Sequence, residues 1–197
     1  MLVVDGGSND ETVEIAGQSR CQLLQSETGR SSQQNAGASS ATGDVLLFLH
    51  VDNWLEPGSV DQIRQALDDP KAQCGAFQQH IAARGPCYRV LEWGNALRVR
   101  WRGLAYGDQG IFVRRELFEQ LGRFPDVPLM EDLILMRQAR RATWPILLTG
   151  PLHVNPRRWQ QHGVIRQTIR NWLLITAYLL GVSPTRLSHF YQRHDKP

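Results

Sequence analysis

Two aspartates each follow a short apolar segment of the sequence. Asp5 comes directly after residues 2–4, and Asp52 follows shortly after the apolar run 45–49. In open α/β sheets, ligands bind beyond the carboxyl ends of the strands, so both carboxylates are candidates for a site. Asp5 and Asp10, with two glycines between them, could contact a ribose or a base, whereas Asp52 could hold a divalent cation that bridges a diphosphate. The same glycine- and serine-rich segment is equally typical of a turn and a helix cap, and that alternative stays open.

Three further polar clusters interrupt apolar sequence. They are the loop 106–110 with Asp108 and Gln109, the acidic pair Glu131 and Asp132, and the segment Arg157, Arg158 and Trp159. Each has a structural explanation: a plain turn, two acids favoured at the first turn of a helix, and a surface arginine pair beside a packed tryptophan. Each also carries groups that could bind hydroxyls or phosphate, because arginine pairs well with phosphate and glycines let the backbone approach a ligand closely.

The elements that must position these groups alternate along the chain. Strands are predicted at residues 2–4, 21–24, 45–49, 72–82 and 110–113, and helices at 11–19, 59–67, 86–100, 115–121 and 131–141. Residues 29–41 are predicted to form a loop and a helix of small residues. This alternation predicts an α/β fold with a mainly parallel sheet covered by helices on both faces.

Composition narrows the class of protein. The 197 residues suffice for one sizeable core, and neither repeats nor low-complexity segments are present. The three cysteines form no CxxC pair, which argues against a disulfide framework or a thiolate zinc site. The sequence therefore indicates one globular, enzyme-sized domain in a reducing, cytoplasmic compartment.

The charge is distributed unevenly. Residues 1–132 carry 12 Lys/Arg and 18 Asp/Glu, whereas residues 133–197 carry 10 and 1, so the net charges are −6 and +9. The basic part suits anionic ligands or an anionic membrane surface. Nucleic acid ranks lower as a partner, because no nucleic-acid-binding motif accompanies the charge.

An amphipathic helix is predicted at residues 164–180. Its apolar residues recur at helical spacing with Arg166 and Arg170 between them: Ile165, Ile169, Trp172, Leu173, Thr176 and Leu180. This stripe either packs on the sheet or lies on an anionic membrane. The longest apolar stretch, residues 172–180, is far shorter than the about 20 residues that span a bilayer.

A series of motifs in this order is similar to family 2 glycosyltransferases. The motifs are Val-Asp5-Gly-Gly-Ser-x-Asp10, Asn35-x-Gly37, Leu-Phe-Leu-His50-Val-Asp52, Tyr106-Gly-Asp-Gln-Gly110, Met130-Glu-Asp132 and Arg157-Arg-Trp159. The resemblance covers nearly the whole chain and implies the GT-A fold, which binds a nucleotide-diphospho-sugar. More narrowly, the chain resembles a small bacterial subgroup associated with radical-SAM and selenium-domain genes, described as arsenosugar-biosynthesis glycosyltransferases.

The resemblance implies a donor site. Asp5 would contact the nucleobase and Asp52 would be the acidic member of the DxD motif that holds Mn²⁺ or Mg²⁺. His50 stands where the family usually has Asp, and a neutral imidazole can still ligate Mn²⁺. The remaining nucleotide- and sugar-binding residues would be Gly6, Ser8, Asp10, Arg30, Gln34, Asn35, Asp108, Gln109, Arg157, Arg158 and Trp159.

The resemblance also implies a mechanism. Asp132, rather than the neighbouring Glu131, would be the general base that takes the proton of the acceptor hydroxyl as it attacks the anomeric carbon. Attack from the face opposite the diphosphate implies inversion. The arginines of the Arg157-Arg158 pair could neutralise the leaving diphosphate, and Trp159 could stack on the acceptor. His153 is a weaker candidate for a third metal ligand.

The prediction is a cytoplasmic, inverting glycosyltransferase, peripheral on the inner face of the membrane if its C-terminal helix binds lipid. Its donor would be a nucleotide-sugar, first of all a UDP-sugar, and its acceptor an unidentified hydroxyl. Residues 1–160 would form the GT-A domain and residues 161–197 its C-terminal helices. The family normally has one more strand and helix before Asp5, so an N-terminally truncated, inactive nucleotide-binding or assembly module is the alternative. A nucleotidyltransferase would use similar acids and metal but does not explain Glu131 and Asp132 with Arg158 and Trp159.

Overall fold

The computed structural model describes residues 1–191, which alternate between strands and helices. The first half contains β1 (Leu2–Asp5), α1 (Thr12–Gln18), β2 (Gln22–Gln25), α2 (Arg30–Ser40), β3 (Val45–Phe48), β4 (Asn53–Leu55), α3 (Ser59–Ala66), β5 (Cys74–Ile81) and α4 (Pro86–Arg102). The second half contains a 3₁₀ turn (Gly107–Gln109), β6 (Ile111–Arg114), α5 (Arg115–Gln120), α6 (Glu131–Ala142), β7 (Ile146–Val154), α7 (Arg157–His162), α8 (Val164–Leu179) and α9 (Pro184–Phe190). Every strand and helix predicted above is present, and the α/β class is confirmed. The strand β7 and the short elements β4, α7 and α9 were not predicted.

The central sheet has five strands in the order β3-β6-β5-β7-β4, and β1 with β2 forms a separate parallel pair. In the central sheet only β5 and β7 run parallel, while β6 is antiparallel to β3 and β5 and β4 is antiparallel to β7. The prediction of a mainly parallel sheet is therefore wrong, because the sheet is mixed.

The start of β6 is positioned by hydrogen bonds from two distant segments of the chain. The main-chain carbonyl of Asp108 accepts hydrogen bonds from the side-chain amides of Gln79 (3.0 Å) and Asn53 (3.2 Å). Gln79 lies near the carboxyl end of β5, so the loop that carries Asp108 is held there and β6 starts at that end. The same hydrogen bonds bring the loop 106–110 next to the turn between β3 and β4.

The sheet is buried on both faces. Successive residues of β6 point to opposite sides, so Ile111 and Val113 pack in one apolar cluster and Phe112 in another. The first cluster includes Val99 of α4, and the second includes Ile63 of α3. Burial on both faces explains why the central strands read as continuous apolar runs.

The C-terminal helices pack on this body through a third cluster. Leu174 of α8 and Leu187 of α9 are buried against Leu129, Met130 and Leu133 around the start of α6. This cluster places α8 beside the acidic pair that opens α6.

The opposite face of α8 is exposed. The exposed fractions are 70% for Ile165, 67% for Trp172, 64% for Leu173 and 81% for Leu180. The interpretation that the amphipathic stripe packs on the sheet is therefore wrong, since the stripe faces outward. No helix within residues 1–191 combines the length and the apolar character needed to cross a bilayer.

Candidate active site

A cavity opens where the β3–β4 turn, the 3₁₀ turn and the start of α6 meet. Seven of the residues predicted from the sequence line it: Arg30, His50, Asp52, Asp108, Asp132, Arg158 and Trp159. They come from widely separated parts of the chain, so the fold assembles one site from four of the predicted motifs.

The β3–β4 turn carries His50 and Asp52. The turn is closed by a hydrogen bond from the Asn53 N–H to the His50 carbonyl (3.1 Å). It is tied to the end of β7 by a bond from the Asn155 N–H to the Asp52 carbonyl (3.3 Å). Because these bonds use main-chain groups of the turn, the Asp52 carboxylate stays available to a ligand, and it has no hydrogen-bond partner within residues 1–191.

Asp132 is held by two main-chain N–H groups. The Gly107 N–H donates to Asp132 Oδ2 and the Leu133 N–H to Oδ1, both at 2.6 Å. Just before it, Met130 has a left-handed conformation with φ of 71°, which is costly for a residue with a side chain. The two N–H donors hold the Asp132 carboxylate at the edge of the cavity, and the left-handed Met130 sets the path of the backbone just before it.

Glu131 points elsewhere. It is buried, and its carboxylate lies 3.8 Å from the guanidinium of Arg30. Burial disfavours the charge on Arg30, but Tyr191, Glu131 and Asp132 outweigh it and raise the pKa of Arg30. Arg30 is thus a permanent cation at the cavity, and of the two adjacent acids only Asp132 lines it.

His50 lines the cavity together with the acidic residues Asp52, Asp108 and Asp132. Burial, followed by the positive charge of Arg30, lowers the pKa of His50, although Asp108, Asp132 and Asp52 oppose the shift. A neutral imidazole is the form that can ligate a metal or accept a hydrogen bond.

Arg98 of α4 stabilises the loop 106–110 through contacts with Tyr106 and Gln109. Its guanidinium stacks on the Tyr106 ring at 3.5 Å and donates hydrogen bonds to the Leu104 carbonyl and to Gln109 Oε1. Burial lowers the pKa of Arg98, and the neighbouring Tyr106 and Asp108 counteract it. Gln109 is fully buried and does not line the cavity, so the structure brings Asp108 to the site but not Gln109.

The C-terminal segment forms another wall. Arg158 donates a hydrogen bond to the Tyr191 hydroxyl (3.0 Å), and Trp159 lies next to it along the cavity. Arg157 is exposed and does not line the cavity.

The residues predicted around the first strand also lie outside the cavity. Gly6, Ser8 and Asp10 belong to the loop after β1, and Gln34 and Asn35 to α2; none of them lines the cavity. Asn35 has a structural partner, since its amide donates to the Phe124 carbonyl (2.9 Å) and accepts from the Phe124 N–H (3.1 Å).

Asp5 serves its own loop. Its carboxylate accepts hydrogen bonds from the Gly7 N–H (3.0 Å), the Ser8 N–H and the Ser8 hydroxyl (2.5 Å). The Ser8 hydroxyl makes the largest contribution to the lowered pKa of Asp5, and the loop N–H groups add to it.

The predicted metal ligands are Asp52 and His50, with His153 as a weaker candidate. Within residues 1–191 no group of three His, Cys, Asp or Glu side chains is arranged to hold a metal ion. Asp52, His50 and Asn53 line the cavity, and within residues 1–191 the buried Asn53 Oδ1 has no hydrogen-bond partner. His153 does not join them, because its imidazole contacts Glu56 (2.8 Å) and stacks on Trp54. This set fits Mg²⁺ or Mn²⁺ only if a bound phosphate completes the coordination.

Several residues of the site escaped the sequence analysis. Asn53, Tyr106, Gln167, Asn171 and Tyr191 all line the cavity. Gln167 and Asn171 lie one helical turn apart, on the side of α8 opposite its apolar stripe. This spacing is the sequence feature that could have indicated a polar surface facing the cavity.

A mixed sheet flanked by helices is the architecture that GT-A glycosyltransferases share. The family model described as glycosyl transferase family 2 matches residues 1–122. The chain belongs to this family.

Solved structures share the fold. Staphylococcus aureus TarS (residues 1–349), in complex with UDP-GlcNAc, matches with a TM-score of 0.61 and 18% identity over 78% of this chain and 48% of its own. The mannosyltransferase PcManGT of Pyrobaculum calidifontis, with GDP-Man and Mn²⁺, matches with a TM-score of 0.53 and 23% identity over 76% of this chain and 45% of its own.

Glucosyl-3-phosphoglycerate synthase of Mycobacterium tuberculosis, with Mn²⁺ and UDP-Glc, matches with a TM-score of 0.53 and 19% identity over 87% of this chain and 66% of its own. The chain thus spans about half of the length of the first two structures. A search of curated protein sequences finds no match.

Proposed function

We propose that this protein transfers a sugar from a nucleotide-diphospho-sugar to an acceptor hydroxyl with inversion at the anomeric carbon. The observation that carries the proposal is the position of Asp132. Its carboxylate is fixed by the Gly107 N–H (2.6 Å) in the same cavity as Asp52 and Arg30. The cavity is thus lined by a proposed base, Asp132, a candidate metal ligand, Asp52, and a cation, Arg30.

In the proposed reaction, Asp132 accepts the proton of the acceptor hydroxyl while that oxygen forms a bond to the anomeric carbon. The bond from the anomeric carbon to the diphosphate oxygen breaks on the opposite face, and its electron pair leaves with the nucleoside diphosphate. Arg30 and Arg158 stabilise the negative charge that develops on this leaving group.

Asp52, His50 and Asn53 Oδ1 would hold a divalent cation jointly with the diphosphate. A bound Mn²⁺ or Mg²⁺ supplies charge neutralisation to the leaving phosphate. The related structures contain Mn²⁺ beside GDP-Man or UDP-Glc, which supports this assignment. A UDP-sugar is the first donor to test, since two of the three related complexes hold one.

The loop after β1 lies on the side of the cavity where we propose that the nucleobase binds. The Thr28 hydroxyl donates a hydrogen bond to the Gly6 carbonyl, which ties this loop to the segment that leads into α2. Arg30, in the first turn of α2, enters the cavity. Asp5 would therefore act on the nucleobase side by keeping this loop in shape. The roles predicted for Gln34, Asn35, Gln109 and Arg157 stay predictions, as does membership of the arsenosugar-biosynthesis subgroup.

A thermal-shift screen tests donor binding. UDP, UDP-GlcNAc, UDP-Glc and GDP-Man should raise the melting temperature more with Mn²⁺ than without it, because a ligand that binds only the folded state stabilises it. Asp52→Ala should lose at least about tenfold in Mn²⁺-dependent affinity, equivalent to about 1.4 kcal/mol. Asp68→Ala, at an exposed position far from the cavity, is the control. Equal Mn²⁺-dependent affinity in wild type and Asp52→Ala would refute the assignment, and binding without transfer would favour the nucleotide-binding module.

We also propose a boundary near residue 160 between the GT-A domain and the C-terminal helices, and residues 192–197 lie outside the described part. The outward face of α8 would rest on the anionic inner surface of the cytoplasmic membrane. It carries the exposed Trp172, Leu173 and Arg166, in the part of the sequence with net charge +9. Apolar insertion and attraction of arginines to anionic lipid add together at such a surface.

Vesicle sedimentation compares two tryptophans of nearly equal exposure. Trp172 on α8 is 67% exposed and Trp93 on α4 is 65% exposed. Trp172→Ala should lower the fraction bound to phosphatidylglycerol-containing vesicles, whereas Trp93→Ala should leave it unchanged. Equal recovery of wild type in the supernatant with neutral and anionic vesicles at low salt would exclude this surface.

A further inference from the structure

One buried side chain of the cavity wall has an unused acceptor. Gln167 of α8 is 5% exposed and lines the cavity. Its Nε2 donates a hydrogen bond to Asn171 Oδ1 (3.0 Å), but its Oε1 has no hydrogen-bond partner within residues 1–191. A buried polar atom without a partner is destabilising, so this oxygen is expected to pair with a donor when the cavity is filled.

The surroundings of Gln167 differ from the acidic end of the cavity. Two helical turns further along α8, Leu174 packs against Leu129, Met130 and Leu133, which form an apolar wall. Leu133 directly follows Asp132, so this wall lies on the side of the proposed base. The attacking hydroxyl must reach Asp132, and therefore the acceptor, rather than the nucleotide, occupies this side.

We propose that Gln167 is an acceptor-binding residue whose Oε1 accepts a hydrogen bond from a hydroxyl of the acceptor. The acceptor is then an alcohol with an apolar carbon body, which packs on Leu129, Leu133 and Leu174. This inference rests on the proposed transfer to a hydroxyl. Gln167 lies outside residues 1–122 that the family model matches, in the part of the chain where a feature particular to this protein would reside.

Three small probes separate the parts of this proposal. 1-Butanol carries a hydroxyl and an apolar chain, its isomer 1-methoxypropane lacks the O–H donor, and ethylene glycol lacks the apolar chain. In isothermal titration calorimetry of the wild-type protein with UDP and Mn²⁺, 1-butanol should bind about 2- to 10-fold more tightly than 1-methoxypropane, the usual contribution of one neutral hydrogen bond. It should bind at least about threefold more tightly than ethylene glycol, because two further methylene groups are buried.

Gln167→Met keeps the length of the side chain and removes the acceptor oxygen. In this variant 1-butanol and 1-methoxypropane should bind equally, whereas Gln120→Met, at an exposed glutamine of α5, should keep the wild-type ratio. The proposal would be overturned if the wild-type protein bound both isomers equally well. It would also be overturned if Gln167→Met still bound 1-butanol more tightly than 1-methoxypropane. The comparison in the wild-type protein remains decisive even if the variant does not fold.

UDP binding, measured in the same samples, separates this inference from the proposed function. Intact Mn²⁺-dependent UDP binding without alcohol selectivity refutes the acceptor subsite alone. Loss of all nucleotide binding in wild type refutes the proposed transfer itself.

Discussion

The loop after β1 and the turn after β3 present the same pattern in the sequence, an aspartate beyond the end of an apolar strand, but they use it differently. The Asp5 carboxylate accepts three hydrogen bonds from its own loop, and the residue is 5% exposed. The Asp52 carboxylate has no hydrogen-bond partner within residues 1–191 and lines the cavity. The first acid shapes the backbone, and the second is available to a ligand.

The difference lies in the N–H groups near each acid. Gly7 and Ser8 turn their N–H groups back toward Asp5, whereas the N–H of Asn53 is used by the His50 carbonyl. A strand-end aspartate therefore becomes a binding group only where the following turn does not satisfy it. Asp132 is an intermediate case, since two N–H groups hold it and it still lines the cavity.

The largest effect is expected at Asp132, whose role separates the cavity most clearly from the Asp5 loop. Asp132→Asn keeps the shape of the side chain and removes its basicity, so transfer should fall by about 10²- to 10⁴-fold while nucleotide binding persists. Initial-rate assays of released UDP with the donor found by thermal shift measure it, and Asp68→Asn is the control. Turnover above about a tenth of wild type would contradict the assignment of the base.

Gly107 gives a sharper test of the geometry of the cavity. A Cβ atom on Gly107 would lie 2.6 Å from His50 Nε2 and 3.4 Å from Asp132 Oδ2. Gly107→Ala can fold if the His50 imidazole moves away from the new methyl group. This movement takes His50 out of its position in the cavity and strains the hydrogen bond from the residue 107 N–H to Asp132 Oδ2. We expect transfer to fall by about 10- to 100-fold, as is typical of a misplacement of about 1 Å in an active site.

The control for Gly107 is another helical glycine. Gly17 of α1 has open space around its Cβ position, so Gly17→Ala should keep full activity and raise stability by about 0.5 to 1 kcal/mol. Chemical denaturation and the same transfer assay measure both variants. A fully active Gly107→Ala would show that His50 can move without consequence for the reaction.

The sequence was sufficient to predict most elements of the fold. Helical and strand periodicity predicted them because each buries one apolar stripe or a whole apolar run. It could not predict the direction of β6, which depends on hydrogen bonds from Gln79 and Asn53 to a carbonyl distant in the chain. Such contacts between distant segments leave no periodic signal.

The candidate site was predictable in its charged residues and, apart from His50 and Trp159, not in its neutral ones. Motif order identified Asp52, Asp132 and Arg30, all of which line the cavity. It also included Asp5, which accepts hydrogen bonds from its own loop, and Gln109, whose Oε1 accepts from the Tyr106 N–H and from Arg98 of α4. Local sequence indicates that a carboxylate or amide is present, but whether a backbone N–H satisfies it depends on φ and ψ angles that the motif does not specify.

The smallest effect is expected at Asp5, and it should appear in stability rather than in metal-dependent binding. Asp5→Asn replaces one acceptor oxygen by an NH₂ group that faces the loop N–H groups, so the free energy of unfolding at pH 7 should fall by about 1 to 3 kcal/mol. The affinity for UDP should change by less than about threefold, equally with and without Mn²⁺. A loss confined to the Mn²⁺-containing samples would place Asp5 in the same class as Asp52 and remove the distinction between the two strand ends.

The pH dependence adds an independent test of Asp5. Because the folded state lowers the pKa of Asp5, its carboxylate contributes stability above its ordinary pKa of 3.8, and this contribution is lost as the pH falls through the lower folded value. The difference in unfolding free energy between wild type and Asp5→Asn should therefore be constant near neutral pH and shrink below about pH 4. Urea denaturation at a series of pH values measures it, and a difference that stays constant below about pH 4 would show that the loop hydrogen bonds do not depend on the charge of Asp5.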